Sequence, residues 1–251
     1  MTAVAPVRSQ ADRADQARSR ILEAALKEFS ALGLAGARTD QIATAAGVNK
    51  ALLYYYFESK ENLYTAALEM AAGRVRDSTM AVFLGAGTAG ERILRTALNH
   101  FDRITAQREF QSMMQQEMMR AHKGESAALP VIVKRVFAPM HAMFESLVRE
   151  GISTGELIEV DLWQVPLAAL GANVFYFLSA PVWRLILPFE PLSPEAIAMR
   201  RRAAIEFLGQ ALFMDRAHGA ELAARVLADT PAPEIVTFDP KLFGRQDESA
   251  Q

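Results

Sequence analysis

Apolar positions recur at intervals of three and four along most of this chain, the spacing that gathers them on one face of an α-helix. Ile21, Leu22, Ala25, Leu26 and Phe29 form the first such stripe and predict a helix over residues 15–32, ended by Gly33 and Gly36. Thr39 and Asn49 are N-cap residue types ahead of two short segments, 40–46 and 50–57, and Gly47 stops the first of them. Ser59 opens a long segment over 60–83. Thr88 and Glu91 have capping-box spacing ahead of 89–107. Further helices are expected over 109–122, 129–150, 162–180, 194–216 and 219–228, with Asp161 as a cap and Ser193-Pro194 as a helix start. Alternating Val/Ile/Thr runs of strand type are missing, so the pattern predicts an all-α chain. Pro231, Pro233, Pro240 and a polar end predict a loosely ordered tail over 229–251.

The segment from Thr39 to Phe57 carries the most information. Two helices of about two turns flank Gly47-Val48-Asn49, and small Ala43 lies four residues before Gly47. Ala43 permits a close helix crossing and Gly47 a sharp turn, as a helix-turn-helix requires. Ile42, Ala46, Val48 and Leu53 are expected inside. Tyr54, Tyr55 and Tyr56 are consecutive and cannot all face a core at helical spacing, so one or two must reach solvent. Lys50 at the helix start, phenolic hydroxyls beside it and free amide donors at the N-terminus suit contacts to phosphate. The bland alternative is a three-helix bundle with surface tyrosines.

The run from Val165 to Trp183 contains only Asn173 and Ser179 as strongly polar residues and is about long enough to span a bilayer. Pro166 and Pro181 bracket it, Gly171 and Asn173 interrupt it, and no Lys/Arg cluster flanks it. The expectation is a helix buried on all sides, in a core or a subunit interface, and no membrane contact. The N-terminus has no continuous apolar core of the secretory type.

Across 251 residues the formal charge is −2 and there is no cysteine. Disulfides, thiol nucleophiles and Cys-ligated zinc are therefore excluded, and a cytoplasmic setting is expected. The charge is uneven. Residues 1–60 hold eight Lys/Arg against six Asp/Glu, or +2, and residues 61–251 hold nineteen against twenty-three, or −4. A mildly basic head thus sits on an acidic body.

Other chemistry is weak. Gly85, Gly87 and Gly90 match G-x-G-x-x-G, which opens an alternative: an all-helical or nucleotide-binding enzyme using the Gly85–Gly90 loop. That motif needs a parallel sheet, which the pattern does not predict. His141 and Glu145, one helical turn apart, are only a faint metal hint. No catalytic residue, metal site or cofactor is assigned, and an enzyme is not expected.

The stretch ILEAALKEFSALGLAGARTDQIATAAGVNKALLYYYFESKENLYTAALE resembles the DNA-binding region of the TetR family of bacterial transcriptional regulators, of TetR/AcrR type. Ala25-Leu26 with Phe29, the Gln41-Ile42-Ala43 to Gly47-Val48 segment and Leu53-Tyr54-Tyr55-Tyr56-Phe57 followed by Ser59-Lys60-Glu61 carry it, over about a fifth of the chain. The resemblance implies a flexible arm over 1–14, a helix-turn-helix DNA-binding domain over 15–60 and an effector-binding and dimerisation domain over 61–228. It also implies a homodimer on a palindromic operator of double-stranded DNA, most simply as a repressor that a small apolar or amphipathic effector releases. Matched to the family's motif, DNA contacts fall on Thr39, Asn49, Lys50, Ala51, Leu52, Tyr54, Tyr55 and Lys60. Arg8, Arg13, Arg18 and Arg20 are candidates for an arm along the DNA backbone. The last two long helices would form the dimer, which fits 162–180 and the face made by Ile197, Ala204, Ile205, Leu208, Leu212 and Phe213. Arg200, Arg201 and Arg202 are then expected to be solvated or paired at its rim. Flexible methionines suit an adaptable pocket. The candidates to line it are His100, Phe101, Met113, Met114, Glu117, Met118, His141, Phe144, Asn173 and Tyr176.

Overall fold

The computed structural model describes residues 10–233. The expected arm up to residue 9, with Arg8, and the tail from residue 234 lie outside the described residues. In chain order the helices are α1 (Gln10–Gly36), α2 (Thr39–Ala46), α3 (Lys50–Phe57), α4 (Lys60–Phe83), α5 (Ala89–Ala106), α6 (Arg108–His122), α7 (Ala128–Ile132), α8 (Ala138–Ser153), α9 (Gln164–Pro166), α10 (Ala172–Leu178), α11 (Ala180–Ile186), α12 (Pro194–Leu212) and α13 (Arg216–Asp229). Among the described residues the only extended pairing is an isolated antiparallel bridge between Leu157 and Phe213. The fold is all-α, with an N-terminal helix-turn-helix followed by a larger helical region.

Most expected boundaries reappear because local caps fix them. The Asn49 side chain accepts from the Leu52 amide at 2.7 Å, Ser59 from Asn62 at 3.0 Å, and Ser193 from Ala196 at 3.2 Å. Thr39 is a correction. It is the first helical residue of α2, its cap position is taken by Arg38, and its side chain is buried. The expected continuous helix 129–150 is broken by a π-turn at Val133–Phe137, just ahead of Pro139, whose missing N–H interrupts the ladder. A second π-turn, Leu167–Gly171, follows Pro166 and joins α9 to α10.

The chain packs as two compact units. One combines the stretch up to Arg74 with Glu109–Val136; the other combines Val75–Arg108 with the stretch from Phe137 onward. In the first, Ile21, Ala25 and Phe29 of α1 are fully buried together with Ile42 of α2 and Leu53 of α3. The α6 helix fastens onto α1, since the Ser112 hydroxyl and Gln116 amide donate to the Ser30 carbonyl at 2.8 and 3.2 Å. Tyr64 of α4 meets the Phe29 ring edge-on at 5.1 Å.

In the second unit α5 is central, with α8, α10, α12 and α13 packed around it. The α12 and α13 helices cross where glycine meets glycine: a Cβ on Gly219 would lie 1.9 Å from the Gly209 carbonyl oxygen. The Arg200–Arg202 run is not uniformly solvated or at a rim. Arg201 is interior and paired with Asp102, while Arg200 lies over the Tyr176 ring at 5.6 Å. The face of Ile197, Ala204, Ile205, Leu208 and Phe213 is buried within this chain, so it does not supply a free interface.

Within one chain the apolar run is not buried on all sides, so a core position alone does not account for it. Val165, Ala169, Asn173 and Phe177 turn inward, whereas Leu167, Phe175 and Leu178 remain more than half exposed. Residues four apart drift only slowly round a helix, so one chain covers one stripe and leaves the opposite one open. No single described helix is long and apolar enough to cross a membrane. The run is a bent pair, Gln164–Leu178 and Ala180–Ile186, with 66° between its halves.

The glycine-rich stretch links α4 to α5. The Glu156 carboxylate accepts from the Gly90 amide at 2.9 Å and from the Thr88 hydroxyl, filling the place at the α5 N-terminus that a pyrophosphate would take. A Cβ on Gly90 would also strike the Phe213 ring at 2.4 Å, so packing accounts for this glycine.

Candidate nucleic-acid interface

Gly47 supplies the left-handed turn between α2 and α3, at φ 66°, ψ 38°. The chain reverses there, the Val48 amide returning to the Ala43 carbonyl at 3.0 Å, and Asn49 starts α3. Leu53 and Phe57 face inward and anchor α3, while Ala51 and Tyr54 are exposed and Tyr55 is 78% exposed. Leu52 and Tyr56 are half-buried. The three tyrosines therefore divide as their spacing requires. Tyr56 donates to the Ala14 carbonyl at 3.3 Å, and Tyr55 stands out with its ring edge-on to that of Tyr56 at 5.5 Å.

Two side-chain contacts clasp α2 to α3. The Thr39 and Tyr54 hydroxyls are 3.3 Å apart, and Lys50 Nζ lies 2.8 Å from Asp40 Oδ1. Hydrogen bonding to Lys50 holds the Asp40 carboxyl below its ordinary pKa, and the same bond holds the Lys50 ammonium above its own. Lys60 donates to the Ala35 carbonyl at 3.2 Å, near the end of α1. The expected surface thus presents Asn49, Lys50, Ala51, Tyr54 and Tyr55 together, with Thr39 behind Tyr54. Asp40 lies beside Lys50 on this surface and was missed, because a carboxylate is not sought where phosphate contacts are expected.

The arginines proposed for the arm divide. Arg13 is exposed. Arg18 lies over the Phe57 ring at 5.5 Å, and Arg20 Nε donates to the Ala46 carbonyl at 3.1 Å, so these two serve the head's own packing.

The expected effector residues fall into two groups. In the first unit Met113, Met114 and Glu117 are buried, and Met118 is half exposed. Glu117 accepts from the Ser126 hydroxyl, and its other oxygen is 3.9 Å from Arg120 Nε. Burial, then the nearby Glu117 carboxylate, raises the Tyr64 phenol above its ordinary pKa. In the second unit Phe101 meets Phe177 at 5.4 Å, Phe144 meets Phe83 at 6.1 Å, and the Tyr176 hydroxyl donates to the Pro191 carbonyl. Asn173 donates to the Ala97 carbonyl at 3.4 Å, but its Oδ1 is buried without a partner. His141 Nε2 and His100 Nδ1 are also buried and unpartnered. Burial, helped by the Arg103 guanidinium, pushes the His100 pKa down to about 3.

Residues 21–67 match the family model described as bacterial regulatory proteins, tetR family. The HTH-type transcriptional repressor NicS of Pseudomonas putida is 48% identical over 60 residues, which cover 24% of this chain and 28% of that protein. The chain therefore matches little more than a quarter of that relative's length. A putative transcriptional regulator from Saccharomonospora viridis, solved with choline, superposes with a TM-score of 0.65 at 17% identity, over 80% of this chain and all of its own. The regulator FadR from Bacillus subtilis, solved with stearoyl-CoA, gives 0.59 at 18% identity over 76% of this chain and 96% of its own. These two likenesses extend the shared fold well beyond the head. The helix-turn-helix head, residues 21–67, is thus similar to that of the TetR family of bacterial regulatory proteins.

Proposed function

We propose that the protein is a ligand-responsive transcriptional regulator rather than an enzyme, acting in the cytoplasm as a homodimeric repressor. Each head lays α3 in a major groove of a palindromic operator. The observation that carries this is the preformed presentation of α3: Leu53 and Phe57 anchor it while Lys50, Tyr54 and Tyr55 face outward beside a helix N-terminus. Asn49, Ala51, Leu52, Thr39 and Lys60 complete the DNA-facing set. The homodimer is supported by Phe175 and Leu178 of α10 and Met199 and Phe207 of α12, large apolar residues left more than half exposed by the chain's own packing.

The effector is proposed to bind in the second unit among His100, Phe101, His141, Phe144, Asn173 and Tyr176. Aromatic walls there accompany three buried polar atoms that lack partners, which suits an apolar or amphipathic molecule with at least one hydrogen-bonding group. Its binding shifts the dimer toward a head spacing that no longer fits the operator. Met113, Met114 and Glu117 are buried in the unit that holds the head.

The test is selection of fragments from the source genome by the purified full-length protein, followed by mobility shifts across a salt series. A regulator enriches discrete palindromic sites, with affinity falling steeply as salt rises. Failure to retain any fragment above background overturns the proposal.

A further inference from the structure

Lys50 is the sole cation of α2 and α3, and Asp40 is their sole anion, so the two helices together carry no net charge. The two are not scattered: Nζ and Oδ1 are 2.8 Å apart, beside Tyr54, whose hydroxyl lies 3.3 Å from that of Thr39. The Lys50 and Asp40 side chains are about half exposed, at 49% and 57%. A pair this open to water adds little to folding stability. Its consequence lies instead in what Lys50 has left to offer a polyanion.

We propose that Asp40 is a specificity-determining residue of the DNA-facing surface, suppressing binding to duplex DNA of arbitrary sequence by keeping Lys50 neutralised. This rests on the DNA-binding function proposed above. Binding without sequence preference is almost wholly an exchange of counterions for protein cations at phosphates. On such DNA the head is loosely seated, phosphate oxygens stay hydrated, and Lys50 has no reason to leave Asp40. On the operator, contacts to base edges fix the head, so a phosphate is held within reach of the four-carbon lysine stem. Lys50 then exchanges one oxygen for another, and base contacts offset the carboxylate left facing the backbone. The masking charge therefore costs more in the wrong complex than in the right one, which widens the gap between them.

The experiment compares full-length wild type, Asp40→Asn, Lys50→Met and the double variant. Binding to a random-sequence duplex, and to the duplex that wild type enriches from genomic fragments, is followed by anisotropy across a salt series. Asp40→Asn is expected to bind the random duplex about 3- to 10-fold more tightly, with a salt slope steeper by about one, and to gain less on the enriched duplex. In the Lys50→Met background, Asp40→Asn is expected to change random-duplex binding far less, because the charge it unmasks is gone. Unchanged random-duplex affinity in Asp40→Asn, or the same gain with and without Lys50, overturns the inference while leaving DNA binding in place. If wild type binds neither duplex, the proposed function fails and takes the inference with it.

Discussion

The Arg201 guanidinium grips the Asp102 carboxylate with two parallel bonds, Nε to Oδ1 at 2.7 Å and Nη2 to Oδ2 at 2.8 Å, across 99 positions of sequence. Nη2 also donates to the Thr230 carbonyl at 2.9 Å, so one buried side chain ties α5, α12 and the end of α13 together. Removing one partner strands the other charge in a poorly hydrated site. Arg201→Ala is therefore expected to lower the unfolding free energy by about 3 kcal/mol. Arg202→Ala, on the exposed neighbour, should change it by less than about 0.5 kcal/mol. Urea titrations of the two variants check this.

The α12–α13 crossing has no room for a methyl group. A Cβ on Gly219 would fall 1.9 Å from the Gly209 carbonyl oxygen and 2.8 Å from the Phe213 ring. Gly219→Ala is expected to cost about 3 kcal/mol or more as the helices are forced apart. Gly73 is the contrasting case, because nothing lies within 4 Å of a Cβ there, inside α4. Gly73→Ala should raise stability by about 0.5–1 kcal/mol through helix propensity and the unfolded state. Thermal melts that shift in opposite directions would bear this out.

These contacts mark where sequence reading stops. The α3 helix was legible to the residue because Asn49 caps it, Ser59 caps its successor and Gly47 turns ahead of it, all within a few positions. The Tyr54-Tyr55-Tyr56 division followed from helical spacing alone. By contrast, Arg200, Arg201 and Arg202 look alike in a run, and only Asp102 on a distant helix singles out one of them. Gly90 reads as a nucleotide motif until Phe213 and Glu156 are seen above it. The stripe of α10 that stays open depends on which helices cover it, and no periodicity states that. Asp40 in the candidate interface was hidden for the same reason, since its meaning comes from Lys50 across the turn.

On the surface proposed to face DNA, position and anchorage should separate cleanly. Tyr55 is 78% exposed, whereas Leu53 is fully buried in the head. Tyr55→Ala is expected to weaken operator binding about 10-fold, the worth of one phosphate-type hydrogen bond, with no change in melting. Lys50→Ala should weaken operator binding and reduce its salt slope by about one, with a smaller effect on arbitrary sequences, where Asp40 already holds Lys50. Leu53→Ala should instead destabilise by about 3 kcal/mol through the cavity it leaves, and lose DNA binding only as the head unfolds. Parallel anisotropy and circular dichroism measurements distinguish the two outcomes.

His100 ties stability to pH. Its folded pKa is pushed down to about 3, chiefly by burial, from an ordinary value of 6.5. Above that ordinary value the imidazole is neutral in both the folded and unfolded chain and contributes no pH dependence. As pH falls below it, the unfolded chain takes up a proton that the folded chain refuses, so stability declines until the folded pKa is reached. The slope is about 1.36 kcal/mol per pH unit for one such group, so moving from pH 7 to pH 5 should cost roughly 2 kcal/mol from His100 alone. His100→Gln keeps a neutral polar side chain with nothing to titrate in this range. Urea titrations at both pH values should therefore show a smaller acid loss in the variant, by about that amount. An equal loss in both proteins would mean that the folded state accommodates the imidazolium and that His100 is not sealed from water.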